Sequence, residues 1–546
     1  MADALTSYRA VQQAFRWDVP DTFNFAADVV DRIAREADGP ALIWTNAAGE
    51  ERTFTFSEMS RLASRFASAL HQRGLRKGDR ILVMMPRIPE WQIAIVGCLK
   101  LGAVPIPCIE MLTPKDIAYR VENSGARGAF VRAEHAGKFD GLESMLPVRI
   151  CIGEASSFES YDNAMAAASE DFAASPMDKD DPAILYYTSG STGNPKGVLH
   201  ATRALYAWRM SARYWLGLSH DDVIWCTADT GWSKAGTSIL FGPWSWGACA
   251  LFYDGPFEPK QRLHLLEKYG VTVYCAPGTE LFRVVAEDVS AYNLGKLRRT
   301  VSAGEALNTV VSDKWREATG RPILEAYGQT ETLMTVLNIV DTPQKAGSMG
   351  LAAPGVELGV IDGNGRRLPP GTEGDIALLT PNPQLMLGYW RDEARTRESF
   401  VDGPDGRWFV TGDLGVCDED GYFFYRGRRD DIISSAGYRI GPSEVENAVL
   451  EHPDVLECAV VASPDKERGE IVKAFIVLRP GVAASDALAE SIQECVKRST
   501  APYKYPRAIE FVGELPKTAT GKTQRRALRD LEQRRSQLSN GEQPAA

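Results

Sequence analysis

The sequence predicts an α/β protein with a mainly parallel sheet, followed by a β-rich subdomain and a compact α+β unit. Helical patterns alternate with short apolar runs through about the first 340 residues, which is typical of parallel strands joined by helices. Strand-like runs separated by turn sequences begin near residue 345 and end near Tyr425. A third region, in which helix and strand patterns are mixed, follows. The length of 546 residues is enough for three to five domains of ~100–200 residues.

The first clear element is a helix that begins near Ser57, a suitable N-cap, and ends at Gly74. Met59, Leu62 and Phe66 recur within it at helical spacing. Apolar runs bounded by Pro or Gly then predict short strands. These runs are 80–86, 104–107 and 148–152, and after a central Gly/Ser loop VIWCTAD (223–229), VTVYCAP (271–277) and LRRTVSAGEAL (297–307).

The last 120 residues predict two helices and two strands. The helices are SEVENAVLEH (443–452) and ALAESIQECVKRS (487–499), and the strands are ECAVVAS (457–463) and KAFIVLRP (473–480). Such a short mixed set is typical of a small α+β unit. The final residues, 525–546, are strongly polar and are predicted to fray.

Composition limits the class of protein. With 61 Lys and Arg against 72 Asp and Glu, the net charge is −11, which disfavours binding to nucleic acid or to an anionic membrane surface. The nine cysteines form no CxxC pair, so neither a zinc ribbon nor a disulfide scaffold is expected. No apolar run approaches the ~20 residues of a membrane span, and the first residues lack an apolar signal core. These features predict a cytoplasmic location.

The most informative segment is YYTSGSTGNPKG, residues 186–197, which directly follows the apolar run 183–185. Glycines allow the backbone to approach an anion, and successive N–H groups and hydroxyls can hold phosphate oxygens. Lys196 adds a positive charge. A flexible linker is disfavoured because the loop begins at a buried strand. A Walker A loop is excluded, since Gly190 and Gly193 are too close and Gly197 follows the lysine.

This loop resembles the phosphate loop of the adenylate-forming superfamily, which includes acyl-CoA synthetases, luciferases and peptide-synthetase adenylation domains. Further segments resemble that superfamily in the same order along nearly the whole chain. They are SAGEAL (302–307), EAYGQTET (325–332), TGD (411–413), YRGRRDDIISSAGYRIGPSEVE (425–446) and PKTATGK (516–522). Three other segments, FNFAADVVD (23–31), PRIPEWQIAIVGCLKLGAVPIP (86–107) and ADTGWSKAGTSILFGPWSWGA (228–248), resemble the medium-chain acyl-CoA synthetases. The resemblance implies a large N-terminal domain of two αβ layers plus the β-rich subdomain, and a smaller mobile α+β C-terminal domain.

The resemblance implies a reaction in two halves. A small-molecule carboxylic acid attacks the α-phosphorus of ATP to give acyl-AMP and pyrophosphate, and the thiol of coenzyme A then displaces AMP. It implies Mg²⁺ held by Glu331, since magnesium takes one or two protein carboxylates plus phosphate oxygens. The implied ATP-binding residues are Thr188, Ser189, Gly190, Ser191, Thr192, Gly193, Lys196, Gly304, Glu305, Ala306, Glu325, Ala326, Tyr327, Gly328, Gln329, Thr330, Asp413, Arg428, Arg439 and Lys522.

The resemblance also implies three catalytic positions, Lys522, Gly437 and Asp430. Asp430 would be the hinge between an N-terminal domain of residues 1–429 and a C-terminal domain of residues 431–546. Lys522 would stabilise charge during adenylation, and Gly437 would line the passage for pantetheine. Lysine acylating and deacylating enzymes are candidate partners, because acylation would remove the charge of Lys522. The implied CoA-binding residues are Ala436, Gly437, Tyr438, Arg439 and Arg468.

The resemblance also implies that Gly328 affects acyl specificity, because acetate-specific relatives carry a tryptophan at this position. The absence of an indole predicts room for a longer or aromatic acid, with Trp232, Lys234 and residues 238–241 as other pocket walls. Each buried CH₂ adds ~0.8 kcal/mol, which favours medium chains over acetate. Gly328→Trp is therefore predicted to shift preference toward short acids.

Two other functions remain open from the sequence. An adenylating enzyme could load a carrier protein or act on benzoate-type acids, and a protein could keep the fold and bind nucleotide without catalysis. Release of pyrophosphate separates an enzyme from a binding protein, and addition of coenzyme A separates thioester synthesis from carrier loading.

Overall fold

The computed structural model describes residues 2–188, 195–304, 307, 309–339, 342–435, 438–465, 468–500, 502–517 and 523–539. The chain divides into two compact units. The first unit comprises residues 1–307, 311–358 and 379–400, and the second comprises residues 308–310, 359–378 and 401–546.

In chain order the strands are β1 (Pro40–Asn46), β2 (Glu51–Thr55), β3 (Arg80–Met84), β4 (Val104–Cys108), β5 (Gly128–Arg132), β6 (Val148–Ile152), β7 (Glu159–Ser160), β8 (Pro182–Thr188), β9 (Lys196–Ala201), β10 (Val223–Cys226), β11 (Cys249–Asp254), β12 (Val273–Cys275), β13 (Arg299–Ala303), β14 (Ile323–Gln329), β15 (Leu333–Leu337), β16 (Gly350–Ala352), β17 (Leu358–Ile361), β18 (Gly374–Leu379), β19 (Gly388–Tyr389), β20 (Phe400–Gly403), β21 (Gly406–Cys417), β22 (Tyr422–Arg428), β23 (Ile433–Ser435), β24 (Tyr438–Ile440), β25 (Val455–Asp465), β26 (Gly469–Leu478) and β27 (Ala508–Phe511).

The α-helices are α1 (Ala2–Ala14), α2 (Arg32–Glu36), α3 (Phe56–Gln72), α4 (Pro89–Leu101), α5 (Pro114–Ser124), α6 (Tyr161–Ala166), α7 (Thr202–Ala207), α8 (Arg209–Ser211), α9 (Ser233–Ala235), α10 (Gly242–Ser245), α11 (Pro259–Lys268), α12 (Gly278–Val284), α13 (Thr309–Thr319), α14 (Glu393–Glu398), α15 (Pro442–Leu450), α16 (Asp486–Ser499) and α17 (Arg525–Ser539).

The described residues of the first unit form three sheets. The largest has the order β16-β15-β14-β13-β12-β10-β11-β1-β2, in which the run from β14 to β1 is parallel and β15 and β2 are antiparallel. A second, parallel sheet has the order β4-β3-β5-β6-β7, and a small antiparallel sheet has the order β19-β9-β8. The two parallel sheets with their helices confirm the expected two αβ layers.

Apolar packing on these sheets explains why the alternating pattern folds as layers. Leu82, Ile106 and Phe139 lie in one buried cluster on the β4-β3-β5-β6 side, and Leu263 and Trp315 lie in another beside β12. Fully burying a side chain of this size contributes about 1.5–3 kcal/mol, so these clusters stabilise the sheets on which the site residues lie.

The second unit combines antiparallel β-structure with a five-stranded mixed sheet. The first group has the order β17-β18-β21-β22, with β20 paired to β21. The second has the order β24-β23-β26-β25, with β27 parallel to β26. The predicted helices at 443–452 and 487–499 correspond to α15 and α16, which pack with β25 around Val445, Val460 and Ile492.

Two local expectations are wrong. The N-cap of α3 is Thr55 rather than Ser57, because Thr55 accepts from the Glu58 amide and the Glu58 carboxylate accepts from the Thr55 amide. The polar tail does not fray over its first part, since residues 525–539 form α17. Leu528 of this helix is buried among apolar residues, and Glu532 accepts from Lys473. Its apolar stripe and ion pairs give it a packing partner that composition alone does not indicate.

The hinge at Asp430 and the division into domains at that residue remain predictions. Asp430 lies in a short 3₁₀ turn, Arg429–Asp431, within the second unit. Both neighbours make ion pairs inside that unit: Arg429 Nε donates to Asp375 Oδ1 at 3.0 Å, and Asp431 accepts from Arg529 of α17.

Candidate active site

Thr330, a predicted ATP-binding residue, and Glu331, the predicted Mg²⁺ ligand, lie in the turn between antiparallel strands β14 and β15. The Gln329 carbonyl accepts from the Thr332 amide at 3.3 Å, and the Gln329 amide donates to Thr332 Oγ1 at 3.3 Å. Leu333 completes the turn with φ at +58°. A non-glycine residue in the left-handed region is uncommon, so the surrounding contacts hold the turn in a conformation the chain would otherwise avoid.

The buried Glu331 forms the centre of a polar cluster with the half-buried Lys196 and Tyr389. Lys196 Nζ lies 2.6 Å from Glu331 Oε1, and the Tyr389 hydroxyl donates to the same oxygen at 2.9 Å. Lys196 Nζ also donates to the Tyr389 hydroxyl at 3.1 Å. The three residues lie on separate segments of the first unit, so the fold brings together a carboxylate, an ammonium and a phenol.

The charge of Glu331 is maintained despite burial, since the residue is 5% exposed. Burial by itself raises the pKa of the carboxyl, but attraction to Lys196 and hydrogen bonds from Lys196, the backbone and Tyr389 outweigh it and lower the pKa. The carboxylate is therefore ionised at neutral pH and available to a divalent cation.

His200 supports the same turn from strand β9. Its Nε2 lies 2.7 Å from the Thr330 carbonyl oxygen, and because a carbonyl only accepts, Nε2 carries the proton. Burial lowers the pKa of His200 to about 4, so the ring is neutral. Neither His200 nor Tyr389 was expected from the sequence. Their distances along the chain from Glu331 give no local signal, and only the fold reveals them.

Thr188 and Lys196 are cross-strand partners at the ends of β8 and β9. The Thr188 Oγ1 atom is buried without a hydrogen-bond partner among the described atoms. A buried hydroxyl of this kind is available to accept from or donate to a ligand. The loop between these strands includes Ser189, Gly190, Ser191, Thr192 and Gly193, which lie outside the described residues.

The predicted acyl-pocket residues follow β10. Ser233 Oγ lies 3.2 Å from Thr330 Oγ1, and Lys234 Nζ donates to the Ala303 carbonyl at 3.0 Å. Trp232 is half-buried and its Nε1 has no partner among the described atoms. Gly304, directly after Ala303, has φ at +95°, which requires glycine. Residues 232–234 therefore lie next to two of the segments expected to bind nucleotide.

The predicted ATP-binding residues 325–329 form the end of β14. Glu325 Oε1 accepts from the Leu307 amide at 3.1 Å. Burial raises the pKa of Glu325 to about 7, although the hydrogen bond from Leu307 lowers the pKa in part. Ala326 is buried, whereas Tyr327 and Gln329 are half-buried. Glu305 and Ala306 lie outside the described residues.

Asp413 and Arg428 form an ion pair in the second unit. They are register partners on the antiparallel strands β21 and β22, and Arg428 Nη1 donates to Asp413 Oδ1 at 3.0 Å. Asp413 is 3% exposed, whereas the Arg428 side chain is 42% exposed. The structure thus joins two of the residues expected to bind ATP.

The remaining predicted residues of the second unit are less defined. Ala436, Gly437 and Lys522 lie outside the described residues, and of Asp430 and Arg439 only the backbone is described. Tyr438 is exposed and stacks on Tyr503 with ring centroids 4.3 Å apart. Arg468 is half-buried, and its amide donates to Asp465 Oδ1 at 2.8 Å.

Gly328 has no room for a side chain on this backbone. A Cβ there would fall well inside contact distance of the Leu333 carbonyl oxygen and 2.8 Å from Met334 Cα. A side chain at position 328 would therefore point at the neighbouring strand β15. The expectation that Gly328→Trp fills a pocket is corrected, because any side chain must first move this backbone.

We expect Gly328→Ala to lower the free energy of unfolding by about 1–3 kcal/mol, the usual cost of overpacking. Chemical denaturation of the purified wild-type and variant proteins measures this change in the free energy of unfolding. Gly363→Ala is the matched control, since a Cβ at Gly363 meets nothing within 4 Å. Equal stability of the two variants would contradict the close approach at Gly328.

A second group of possible metal ligands is Glu110, Glu134 and His135 in the first unit. His135 Nε2 lies 3.1 Å from Glu110 Oε1, and burial raises the pKa of Glu110 to about 7. Arg132 lies 3.5 Å from the Glu134 carboxylate and Lys138 donates to the Glu110 carbonyl. These two cations oppose a bound metal ion, so we assign none to this group.

The fold and these clusters define an AMP-binding enzyme. The sequence profile of the AMP-binding enzyme family matches residues 29–390, and that of the AMP-binding enzyme C-terminal domain matches residues 444–522. Within this class the chain belongs to the medium-chain family of acyl-CoA synthetases, whose members use ATP, coenzyme A and a small carboxylic acid.

The relatives that support this assignment match nearly the whole chain. Human mitochondrial acyl-coenzyme A synthetase ACSM3 is 41% identical, covering 96% of this chain and 92% of its own length. Human mitochondrial acyl-coenzyme A synthetase ACSM4 is 40% identical, and the match covers 97% of this chain and 94% of the length of ACSM4. Among solved structures, the anthranilate CoA ligase AuaEII with anthranoyl-AMP has a TM-score of 0.86 at 31% identity, covering 95% of this chain and 99% of its own. The benzoate CoA ligase from Burkholderia xenovorans LB400 has a TM-score of 0.82 at 30% identity, and the match covers 93% of this chain and 100% of the ligase chain.

The expected cytoplasmic location is wrong, because these acyl-CoA synthetase relatives are named as mitochondrial proteins. The expectation rested on free cysteines and on the lack of an apolar signal core. Neither property separates the cytoplasm from the interior of an organelle, since targeting to mitochondria uses amphipathic rather than apolar segments. In the part of the chain that the structure describes, no helix is long and apolar enough to cross a membrane.

Proposed function

We propose that this chain converts a medium-chain carboxylic acid to its acyl-AMP with ATP and then to the acyl-CoA. The observation that carries the proposal is the Glu331–Lys196–Tyr389 cluster, with its buried carboxylate, at the β14–β15 turn. Phosphoryl chemistry needs positive charge and a metal ligand held in fixed positions more than it needs a covalent catalyst. The cluster supplies a cation and a carboxylate beside the loop that resembles a phosphate-binding loop.

We propose Glu331 as the protein ligand of Mg²⁺. Its carboxylate is ionised and buried, and one hard oxygen donor of this kind suits a cation that takes its other ligands from phosphates and water. When bound, Mg²⁺ would neutralise phosphate charge. Lys196 would then be free to hold a phosphate oxygen, because the cation would replace it as the counter-charge of Glu331. Asp413 would accept hydrogen bonds from the ribose hydroxyls.

The test is AMP formation that depends on coenzyme A, measured across acids from acetate to dodecanoate with benzoate-type acids included. We expect a maximum among the medium chains. Pyrophosphate release without any dependence on coenzyme A would point to carrier loading. The absence of both pyrophosphate and adenylate would favour a binding protein.

Aryl acids are the second candidate substrates. The proposal rests on two solved relatives at 30–31% identity that are named as anthranilate and benzoate CoA ligases. The half-buried Trp232 would offer such a ring an aromatic face. A higher kcat/KM for benzoate than for hexanoate and octanoate would select this candidate over the first.

We expect Gly437→Leu to block thioester formation while leaving pyrophosphate release close to wild type. The resemblance assigns this position to the pantetheine passage, where a side chain would occupy the space of the ligand. The measurement compares acyl-AMP formation with acyl-CoA formation in the same preparation. Gly513→Leu is the control in the same unit, since a Cβ at Gly513 meets nothing within 4 Å. Equal loss of both half-reactions in Gly437→Leu would argue against the assignment.

A further inference from the structure

Two buried cysteines face each other across neighbouring parallel strands of the first unit. Cys226 ends β10 and Cys275 ends β12, and the two are register partners in this pair of strands. Register partners point to the same face of a sheet, and neighbouring strands lie about 4.8 Å apart. That spacing falls within the range of about 4.4–6.8 Å between the Cα atoms of a disulfide.

Polar contacts distinguish this pair from ordinary core cysteines. The two thiols interact with each other, Ser238 interacts with Cys275, and the charge of Lys234 acts on both. Burial raises the pKa of Cys275, but these three contacts outweigh it and lower the pKa to about 7. The pKa of Cys226 is raised well above its ordinary value. One sulfur is thus disposed to be a thiolate and the other to remain a thiol.

The position of the pair connects it with the site. The carboxyl ends of parallel strands are where α/β folds bind ligands, and both cysteines are the last residues of their strands. The segment after β10 carries Trp232 and Lys234, and the Cys275 carbonyl accepts from the Thr227 amide at 3.0 Å. A covalent link at this point would restrict the segment that carries the predicted acyl-pocket residues.

We propose that Cys226 and Cys275 form a reversible disulfide when the protein meets a hydroperoxide, and that this link slows activation of the acid. The thiolate of Cys275 attacks a peroxide oxygen, the O–O bond breaks, and the leaving oxygen takes a proton to give water or an alcohol. The sulfur of Cys226 then loses its proton and attacks the sulfenic sulfur of Cys275, the S–O bond breaks, and hydroxide leaves as water. Two thiols lose two electrons and the peroxide gains them.

Access to the pair requires movement, because Cys226 is 1% and Cys275 0% exposed. We expect the segment 227–235 to open and admit a small hydroperoxide. The effect on activity rests on the proposed function, since an acid bound against Trp232 and Lys234 would keep the segment closed. The formation of the disulfide itself does not depend on that function.

The experiment treats the full chain with hydrogen peroxide, blocks the remaining thiols and maps peptides by mass spectrometry. We expect a peptide pair joined through Cys226 and Cys275, formed more slowly in the presence of octanoate and ATP. Pyrophosphate release should fall roughly ten-fold or more and recover with dithiothreitol, because a small displacement at a reacting site has a large effect on rate.

Cys226→Ser and Cys275→Ser should abolish both the joined peptide and the reversible loss of activity. Cys249→Ser is the matched control, since Cys249 is also a buried strand cysteine and should leave the joined peptide unchanged. Oxidation of other cysteines without a link between these two would overturn the proposal. So would an equal, dithiothreitol-reversible loss of activity in Cys226→Ser. Peptide mapping of the wild-type protein shows whether the disulfide forms even if the serine variants fold poorly. It also does so if the protein activates none of the acids tested.

Discussion

Glu331→Gln is expected to lower kcat/KM for acyl-AMP formation by about two to three orders of magnitude, the effect of removing one preorganised electrostatic group. The amide keeps the shape of the side chain but removes the charge that pairs with Lys196 and the oxygen proposed for Mg²⁺. The measurement is pyrophosphate release with octanoate and ATP over a series of magnesium concentrations. We expect the variant to need more magnesium and to remain slow at saturation.

The control for this variant is Glu317→Gln on the exposed face of α13, where we expect wild-type activity. Thermal unfolding of both variants separates loss of activity from loss of structure. An active Glu331→Gln enzyme with an unchanged magnesium requirement would contradict the proposed role.

Lys522→Ala is expected to lose acyl-AMP formation by about two to three orders of magnitude while keeping thioester formation from supplied acyl-AMP. The resemblance assigns this lysine to charge stabilisation in the first half-reaction only, so the second half-reaction does not need it. The two half-reactions are measured separately, as pyrophosphate release and as acyl-CoA formed from synthetic acyl-AMP.

Lys517→Ala provides the matched lysine variant five positions earlier in the same segment. Lys517 is ion-paired with Glu457 near the surface, and its loss should leave both half-reactions near wild type. A Lys522→Ala enzyme that loses both halves equally would refute a role confined to adenylation. Acylation of Lys522 by a modifying enzyme should reproduce the alanine phenotype, because both changes remove the charge.

Local sequence patterns predicted the elements whose periodicity is strong. The strands at 80–84, 104–108 and 148–152 form where apolar runs predicted them, because each run is buried in a parallel sheet. The polar tail was the clearest failure. Helix α17 depends on its own Leu528, which packs against apolar residues such as Val461 and Phe475, and on ion pairs such as that of Arg525 with Glu446, which join residues far apart in sequence.

Ordered motifs in the sequence by themselves determined the family, the two-step chemistry and the candidate residues Lys196, Glu331 and Asp413. They could do so because the phosphate loop and the segments after it carry their chemistry in short runs of residue types. Tertiary structure alone decided that Tyr389 and His200 hold the Glu331 turn, and that Gly328 faces a neighbouring strand. These contacts arise when distant segments pack, and the register and direction of packed strands are not encoded in any one of the segments.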